Sequence, residues 1–321
     1  MRKLLFLTAL LAINLAQQGY AQQGQYPNRP IRYIVPFPPG GSADGVARIM
    51  SQQLSQVMGQ QWLVDNRPGA DGVLAAGLVI KATPDGHTVF FGSNTPMSAA
   101  PALRKVPPYD PVKDFTAIGF IGHITFILFS APAVPAKTLS ELIDYARANP
   151  GKLNYGTGNT GSIVSTAQLK MLAKLDIAQI PYKGDALVTS DLIGGRLQFA
   201  IMAPVPALAQ AQAGRLRMLA VLLPRRSALA PDVPTIAEAG MPGVSIAPWA
   251  GLFGPAGIPR DVLARLSRDL NTVFSRAEVR EQMSRQGFEA QIMTPVEVAT
   301  HTKVQYEAWA RVIRETGIPQ E

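Results

Sequence analysis

Short apolar runs typical of β-strands alternate, from Arg29 onward, with segments in which apolar residues recur at helical spacing. The clearest helix is predicted for residues 43–58, where Val46, Met50 and Leu54 share one face and Gly59 ends the segment. Alternation of strands and helices indicates an α/β fold in which helices flank mostly parallel sheets. We therefore predict that fold class.

The predicted elements form two series, joined by a long apolar stretch that is typical of a strand pair leading from one lobe into another, at residues 114–130. The first series has strands at 32–36, 62–65 and 87–91 and helices at 43–58 and 73–82. The second has helices at 139–148, 162–174 and 186–193 and strands at 152–155, 178–182 and 197–202. The remainder comprises a strand at 216–221, a Pro- and Gly-rich return at 224–248, an apolar segment at 249–255 and helices at 260–274 and 295–316.

The length of the chain predicts two lobes, because a single hydrophobic core rarely serves more than about 250–300 residues. We assign residues 27–120 together with about 225–321 to the first lobe, and about 121–224 to the second. The C-terminal helices could be shared between the two lobes.

Residues 1–21 are predicted to be a cleaved signal peptide. Arg2 and Lys3 supply its positive start, and the apolar run that follows, about a dozen residues, is too short to span a bilayer. Gly19 and Ala21 are typical of a cleavage site after Ala21. An uncleaved anchor helix is the alternative, but the apolar run does not continue beyond Gln17. We therefore expect the mature protein in the periplasm of a Gram-negative bacterium.

The formal net charge is +8, and the chain contains no Cys. Disulfides and thiolate chemistry are therefore excluded, so stability must come from packing. Lys and Arg are dispersed, without a basic stripe or interleaved aromatic residues, and nucleic acid is not a predicted partner. A basic surface can instead steer small anions toward a cleft.

Two glycine-rich loops each follow a predicted strand and precede a predicted helix. They are Pro39-Gly-Gly-Ser-Ala-Asp44, in which Ser42 or Asp44 could cap the helix, and Gly156-Thr-Gly-Asn-Thr-Gly-Ser162. The N-terminus of a helix presents unpaired N–H groups and a partial positive charge, both of which favour an anion. Ligands of open α/β sheets bind beyond the carboxyl ends of the strands, so both loops would face one crevice.

The second loop also matches the dinucleotide-binding pattern, with glycines at positions 156, 158 and 161. The acidic residue of that pattern should end the next strand, whereas Asp176 precedes the strand predicted at 178–182. We therefore prefer an anion-binding loop to a nicotinamide cofactor site.

Catalytic patterns are not evident. His87, His123 and His301 are far apart, without the spacing of a helical metal site, and no Gly-x-Ser-x-Gly motif is present. We interpret His87 as a turn or strand-edge residue and His123 as a hinge or core residue. No enzymatic activity, cofactor or metal is predicted.

The sequence resembles the Bug family of TctC-like periplasmic receptors, which serve tripartite tricarboxylate transporters. The resemblance covers essentially the whole mature chain and rests on ordered motifs. These are Pro36-Phe-Pro-Pro-Gly-Gly-Ser-Ala-Asp44, Asn66-Arg-Pro-Gly-Ala70, Pro84-Asp-Gly-His-Thr88, Tyr109-Asp-Pro-Val-Lys-Asp-Phe115, Asn149-Pro-Gly-Lys-Leu-Asn-Tyr155, Pro181-Tyr-Lys-Gly184, Asp191-Leu-Ile-Gly-Gly195, Pro231-Asp-Val-Pro-Thr-Ile-Ala-Glu-Ala-Gly240 and Trp249-Ala-Gly-Leu-Phe-Gly-Pro255.

The resemblance implies a two-lobed, type II periplasmic-binding-protein fold, a Venus flytrap that closes on its ligand. It also implies that both glycine-rich loops grip a ligand carboxylate, and we place the binding site around them. The expected site residues are Phe37, Gly40, Gly41, Ser42, Ala43, Asp44, Ser93, Asn94, Thr157, Gly158, Asn159, Thr160, Gly161, Ser162, Ser165, Lys183 and Asp185.

Three positions depart from the family pattern. Ser165 stands where many members have His, Asp185 where a small residue is common, and Ile258 where Thr is usual. Asp185 has two interpretations: an N-terminal cap of the helix predicted at 186–193, or a group that pairs with a cationic or hydrogen-bond-donating part of the ligand.

We therefore predict a monomeric, non-enzymatic receptor that binds a small carboxylate solute and delivers it to the membrane subunits of a tripartite transporter. A sensor that passes its ligand state to a signalling receptor would use the same closed form, so the sequence does not separate the two roles. A periplasmic enzyme on a similar fold is the third alternative. Dicarboxylates, tricarboxylates, acidic amino acids, aromatic acids and nicotinic-type compounds are all candidate ligands.

Overall fold

The computed structural model describes residues 26–320, and the predicted signal peptide lies outside them. Two β-sheets with flanking helices organise the fold. The strands of the first are β1 (Ile31–Val35), β2 (Trp62–Asn66), β3 (Thr88–Ser93), β4 (Phe115–Ile124), β10 (Trp249–Pro255) and β11 (Phe288–Ala290), in the order β11-β4-β10-β3-β1-β2. The strands of the second are β5 (Ile127–Ser130), β6 (Asn154–Thr157), β7 (Ala178–Pro181), β8 (Phe199–Met202) and β9 (Arg217–Val221), in the order β7-β6-β8-β5-β9.

The helices range from a single turn to more than five turns. They are α1 (Ser42–Met58), α2 (Val73–Ile80), α3 (Ala100–Ala102), α4 (Leu139–Ala148), α5 (Thr160–Ala173), α6 (Asp185–Ile193), α7 (Leu208–Gln212), α8 (Arg260–Ser275), α9 (Ala277–Arg285) and α10 (Pro295–Glu315). A 3-10 turn, Ala70–Gly72, precedes α2, and a π-helical turn, Thr95–Ala99, precedes α3. Within residues 26–320, no helix is both long and apolar enough to cross a membrane.

Helix α1 forms as its apolar spacing predicts. Val46, Met50 and Leu54 are fully buried on the face that packs against β1 and β2. Gly59 adopts the left-handed conformation, with φ of 70°, and its N–H donates to Ser55 O, which closes the last turn. Because α1 is held along its length, its N-terminus occupies a fixed position at the end of β1.

The α/β fold class with two helix-flanked sheets is confirmed, but the expectation of mostly parallel sheets is wrong. Strand β1 is parallel to β2 and β3, and β6 is parallel to β7 and β8. Strand β10 is antiparallel to β3 and β4, and β5 is antiparallel to β8 and β9. Parallel neighbours need a crossover connection, usually a helix. Strands β4 and β5 instead follow each other directly from one sheet into the other, and β10 enters the first sheet from the second lobe. Their pairs with neighbouring strands are therefore antiparallel.

The link predicted at residues 114–130 is confirmed, since β4 belongs to the first sheet and β5 to the second. Several elements were not predicted: the π-helical turn, α3, α7, α9 and β11. In α9 only Val279 and Met283 are buried, so its apolar spacing is too sparse to indicate a helix.

The packing of the two cores suggests a different boundary for the second lobe. Ala230, Val233, Ile236 and Val244 pack in the core that surrounds the second sheet. We propose that this lobe extends to about residue 245, rather than ending near residue 224. Helices α8 and α9 pack on the first lobe.

Helix α10 contacts both lobes. Trp309 and Ile313 are fully buried and pack with Ala99 of the first lobe and Val164 of α5 in the second. We propose that the C-terminal helix is shared between the two lobes.

A cluster of aromatic and histidine side chains lies where the lobes join. The ring of His301, on α10, packs at 5.0 Å from those of Phe120 and Trp249, and at 6.1 Å from that of His123. His301 Nε2 is buried and has no partner among the described residues. Burial, together with the nearby His123, lowers the pKa of His301 to about 4.

Acid is therefore expected to weaken the fold through His301. The pKa of His301 is 6.5 in the unfolded chain and about 4 in the folded protein. The free energy of unfolding is therefore unaffected well above pH 6.5, and it decreases as the pH falls from 6.5 toward 4. At pH 5.0 this loss amounts to about 2 kcal/mol. Urea unfolding measures the free energy of unfolding at pH 7.5 and at pH 5.0. Between these two pH values it should drop by about 2 kcal/mol less in His301→Phe than in the wild type. Equal drops in both proteins would contradict this assignment.

Candidate functional site

A cavity of about 380 Å³ lies between the two lobes. Its walls come from the segments that follow β1 and β3 in the first sheet and β6, β7 and β8 in the second. This is the crevice beyond the carboxyl ends of strands in which open α/β sheets bind ligands. A larger depression of about 800 Å³ runs along α8, but it lies on the outer face of that helix, away from the strand ends.

The first glycine-rich loop is held in place by Asp44 and Asn66. The carboxylate of Asp44 accepts from Gly40 N at 3.0 Å, Arg48 Nε at 2.9 Å and Asn66 Nδ2 at 3.0 Å. Asn66 Nδ2 also donates to Phe37 O at 3.0 Å. Burial alone would raise the pKa of Asp44, but these donors together hold it below its usual range. Asp44 is therefore an ionised anchor of the loop.

The N-terminus of α1 presents free donors to the cavity. Gly41, Ser42 and Ala43 line the cavity, and the N-cap residue Gly41 provides no side-chain cap. The N–H groups of Ser42 and Ala43 belong to the first turn, and no acceptor within residues 26–320 pairs with them. Unpaired N–H groups of this kind, together with the helix dipole, favour an anion.

The second glycine-rich loop pairs the N–H groups of Gly158, Asn159 and Ser162 internally. Asn159 Oδ1 accepts from Ser162 N at 3.0 Å, and Ser162 Oγ accepts from Gly158 N and Asn159 N, both at 3.2 Å. This reciprocal arrangement is a capping box at the start of α5. The N–H groups of Thr160 and Gly161, in the first turn of α5, have no acceptor within residues 26–320, but neither residue lines the cavity. The two loops are therefore not equivalent: the first places its unpaired N–H groups at the cavity, whereas the second lines the cavity with Gly158 and Asn159.

Asp185 does not cap its own helix, so the capping interpretation is wrong. The N-cap of α6 is Gly184, and the carboxylate of Asp185, the next residue, makes no capping hydrogen bond. That carboxylate instead accepts from Asn159 Nδ2 at 3.0 and 3.2 Å and from Ala203 N at 3.2 Å. Burial raises the pKa of Asp185 to about 6, and these two donors oppose the rise.

Aromatic side chains form much of the remaining wall. Phe91 lies with its ring centroid 6.3 Å from that of Phe37 and 6.0 Å from that of Phe288, both edge to face. Phe126 and Ile124 complete the apolar lining at the junction of the lobes. A ligand that enters the cavity would therefore lose water along its body, which strengthens any polar contact at its ends.

The cavity brings together nine of the residues expected from the sequence. These are Phe37, Gly41, Ser42, Ala43, Ser93, Asn94, Gly158, Asn159 and Asp185. Asn94 also has a structural role, because its Oδ1 accepts from Trp249 N at 3.2 Å.

Eight expected residues do not line the cavity: Gly40, Asp44, Thr157, Thr160, Gly161, Ser162, Ser165 and Lys183. Most of them are engaged elsewhere. The N–H of Gly40 is taken by Asp44, Thr157 Oγ1 accepts from Gln179 Nε2, and the buried Ser165 Oγ donates to Gly161 O within α5. Lys183 is exposed to solvent.

Apart from Phe37, the sequence pattern does not indicate the apolar lining of the cavity. Phe91 and Phe126 lie in stretches that were predicted as strands, but the pattern did not tell which face points into a cleft. Phe288 gave no signal, because neither α9 nor β11 was predicted. Within residues 26–320, no group of three or more His, Asp or Glu side chains is arranged to hold a metal ion.

Comparison with known proteins agrees with this architecture. The family model described as "Tripartite tricarboxylate transporter family receptor" matches residues 46–318. Protein BugT of Bordetella pertussis is 33% identical over 319 residues, covering 97% of each chain.

Two solved structures are similar over almost their whole length. A Rhodopseudomonas palustris protein with adipate is 30% identical, with a TM-score of 0.81 over 92% of this chain and 99% of the other. MatC from the same organism, with bound malate, is 31% identical, with a TM-score of 0.76 over 90% of this chain and 100% of the other. The resemblance noted in the sequence is thereby confirmed, and the chain belongs to the tripartite tricarboxylate transporter receptor family, the TctC or Bug family of periplasmic binding proteins.

Proposed function

We propose that this protein binds a small carboxylate-bearing solute in the cavity between its lobes and delivers it to the membrane subunits of a tripartite transporter. The observation that carries the proposal is the uncapped N-terminus of α1, whose Ser42 and Ala43 N–H groups lie at the cavity wall. The relatives with adipate and malate support a carboxylate ligand. Export by a signal peptide at residues 1–21 is part of the same proposal.

In the proposed mechanism, one set of residues binds the ligand carboxylate and another excludes water from it. Ser42 and Ala43 donate to the carboxylate, while Asp44 and Asn66 keep their loop in shape without touching the ligand. Closure of the lobes around Phe91 and its neighbours excludes water, which lowers the local dielectric and strengthens the N–H contacts. The closed form then presents a composite surface to the transporter.

Binding is tested by identifying the natural ligand and adding it back. We expect mass spectrometry of protein purified from the periplasm and then denatured to release a compound with at least one carboxyl group. Adding that compound to ligand-free protein at 100 times its Kd should raise Tm by at least about 3 °C. A released compound without a carboxyl group would contradict the proposal.

Delivery requires a separate test in cells. Deletion of the gene should abolish uptake of the labelled ligand, and the wild-type gene should restore it. The sensing alternative predicts instead that uptake persists in the deletion strain while a ligand-dependent change in gene expression is lost. That outcome would overturn delivery and leave the binding proposal intact.

A further inference from the structure

The two ends of the cavity have opposite polarity. On the first lobe, the N-terminus of α1 contributes free donors and roughly half a positive charge. On the second lobe, Gly184 and Asp185 line the wall, and Asp185 contributes a carboxylate. The wall between them is mainly apolar and includes Phe37 and Phe126. A plain carboxylate would match only one of these two ends.

The Asp185 carboxylate has unused accepting capacity. An ionised carboxylate can accept about four hydrogen bonds, and Asp185 receives them from only two groups, Asn159 Nδ2 and Ala203 N. Within the described part of the chain, no Lys, Arg or His side chain lowers the pKa of Asp185. A half-buried carboxylate whose pKa is raised to about 6 is ionised at neutral pH at a cost, which a positive partner would offset.

We propose that the ligand is zwitterionic: a carboxylic acid that also carries a protonated nitrogen, joined by a short apolar body. Its carboxylate binds the Ser42 and Ala43 N–H groups, its nitrogen donates to Asp185, and its body contacts the phenylalanine wall. The inference rests on the proposed function for the binding of the carboxylate. It adds a protonated nitrogen at the other end of the ligand, which binds Asp185. A dicarboxylate such as adipate or malate would bring a second negative charge to Asp185, which is unfavourable.

The structural alternative is that Asp185 only ties the second loop to the end of β8. Asp185→Asn separates the two roles, because an oxygen at the Oδ2 position can still accept from Ala203 N and Asn159 Nδ2, and only the contact of Asn159 Nδ2 with Oδ1 is lost. It removes the negative charge that attracts a cation. Asp144→Asn, at an exposed position of α4 in the same lobe, removes an equal charge outside the cavity and is the matched control.

Matched compounds that differ only in the group opposite the carboxylate test this part of the proposal. Hexanoate, 6-aminohexanoate and adipate share a six-carbon chain and end in a methyl group, an ammonium group and a carboxylate. An aromatic set, 4-methylbenzoate, 4-(aminomethyl)benzoate and terephthalate, repeats the comparison on a body suited to the phenylalanine wall. Titration calorimetry with the wild type, Asp185→Asn and Asp144→Asn measures each affinity.

In at least one set, the ammonium member should bind the wild type at least about tenfold more tightly than the other two, and Asp185→Asn should reduce that preference to about threefold or less. Asp144→Asn should leave the preference unchanged, and the compound released from purified protein should contain a basic nitrogen. A methyl or carboxylate member that ranks first, or a ranking that Asp185→Asn does not alter, would overturn the zwitterion proposal while leaving carboxylate binding intact. If no member binds and the released compound has no carboxyl group, the proposed function fails as well.

Discussion

Replacing Gly158 by alanine is expected to weaken ligand binding at least about 100-fold and to lower the free energy of unfolding by about 2 kcal/mol. A Cβ atom at Gly158 would overlap Asp185 Oδ1 and lie 2.7 Å from both Asp185 N and Gly184 C. The backbone at the start of α6 cannot yield as a flexible side chain can. The added methyl group therefore separates the second loop from α6 and displaces both Asn159 and Asp185 from the cavity wall.

Titration calorimetry and urea unfolding measure these two losses. Gly77→Ala is the matched control, since a Cβ at Gly77, within α2, meets nothing within 4 Å. Alanine in a helix interior is favoured over glycine, so the control should keep its affinity and gain up to about 1 kcal/mol. If Gly158→Ala retained wild-type affinity and stability, the close packing of the loop on α6 would be wrong.

Gly41→Val is expected to abolish binding without harming the fold. A Cβ at Gly41 meets nothing within 4 Å, and the residue has an extended backbone, with φ of −87° and ψ of 171°, that valine readily adopts. The isopropyl group would occupy the space beside the Ser42 and Ala43 N–H groups. We expect affinity to fall by about 100-fold or more, with an unfolding free energy within about 1 kcal/mol of the wild type.

The matched control for this variant is Gly77→Val, which places the same side chain in open surroundings far from the cavity. It should retain full affinity. Gly161 is not an equivalent test site, because a Cβ there would lie 3.1 Å from both Phe126 and Asn159 Oδ1 and would disturb packing. Wild-type affinity in Gly41→Val would mean that the N-terminus of α1 does not bind the ligand.

The first glycine-rich loop illustrates what local sequence can predict. Proline and glycine after an apolar strand, followed by helical spacing, correctly indicated a loop that leads into a helix N-terminus. The second loop was predicted on the same grounds, but the residues with which it lines the cavity, Gly158 and Asn159, have internally paired N–H groups. The signal for that difference was present in Asn159 and Ser162, which have the spacing of a capping box.

Long-range pairing could not be predicted in this way. Strand β10 lies between β3 and β4, which precede it by more than 120 residues, and only the assembled fold determines that neighbourhood. The same limit applies to Phe126 and Phe288, which reach one cavity from distant segments. Asp185 was ambiguous because a residue at the start of a helix can cap it or face away, and its contact with Ala203 N depends on the position of β8.

A crystal structure of the protein with its released natural ligand tests the central claim most directly. The account predicts a ligand carboxylate in the cavity between the lobes, with its oxygens within about 3 Å of the backbone nitrogens of Ser42 and Ala43. A ligand bound elsewhere, such as the cavity lined by His123, Arg225 and Arg280, would contradict it. So would a ligand in the interlobe cavity whose carboxylate makes no contact with the start of α1.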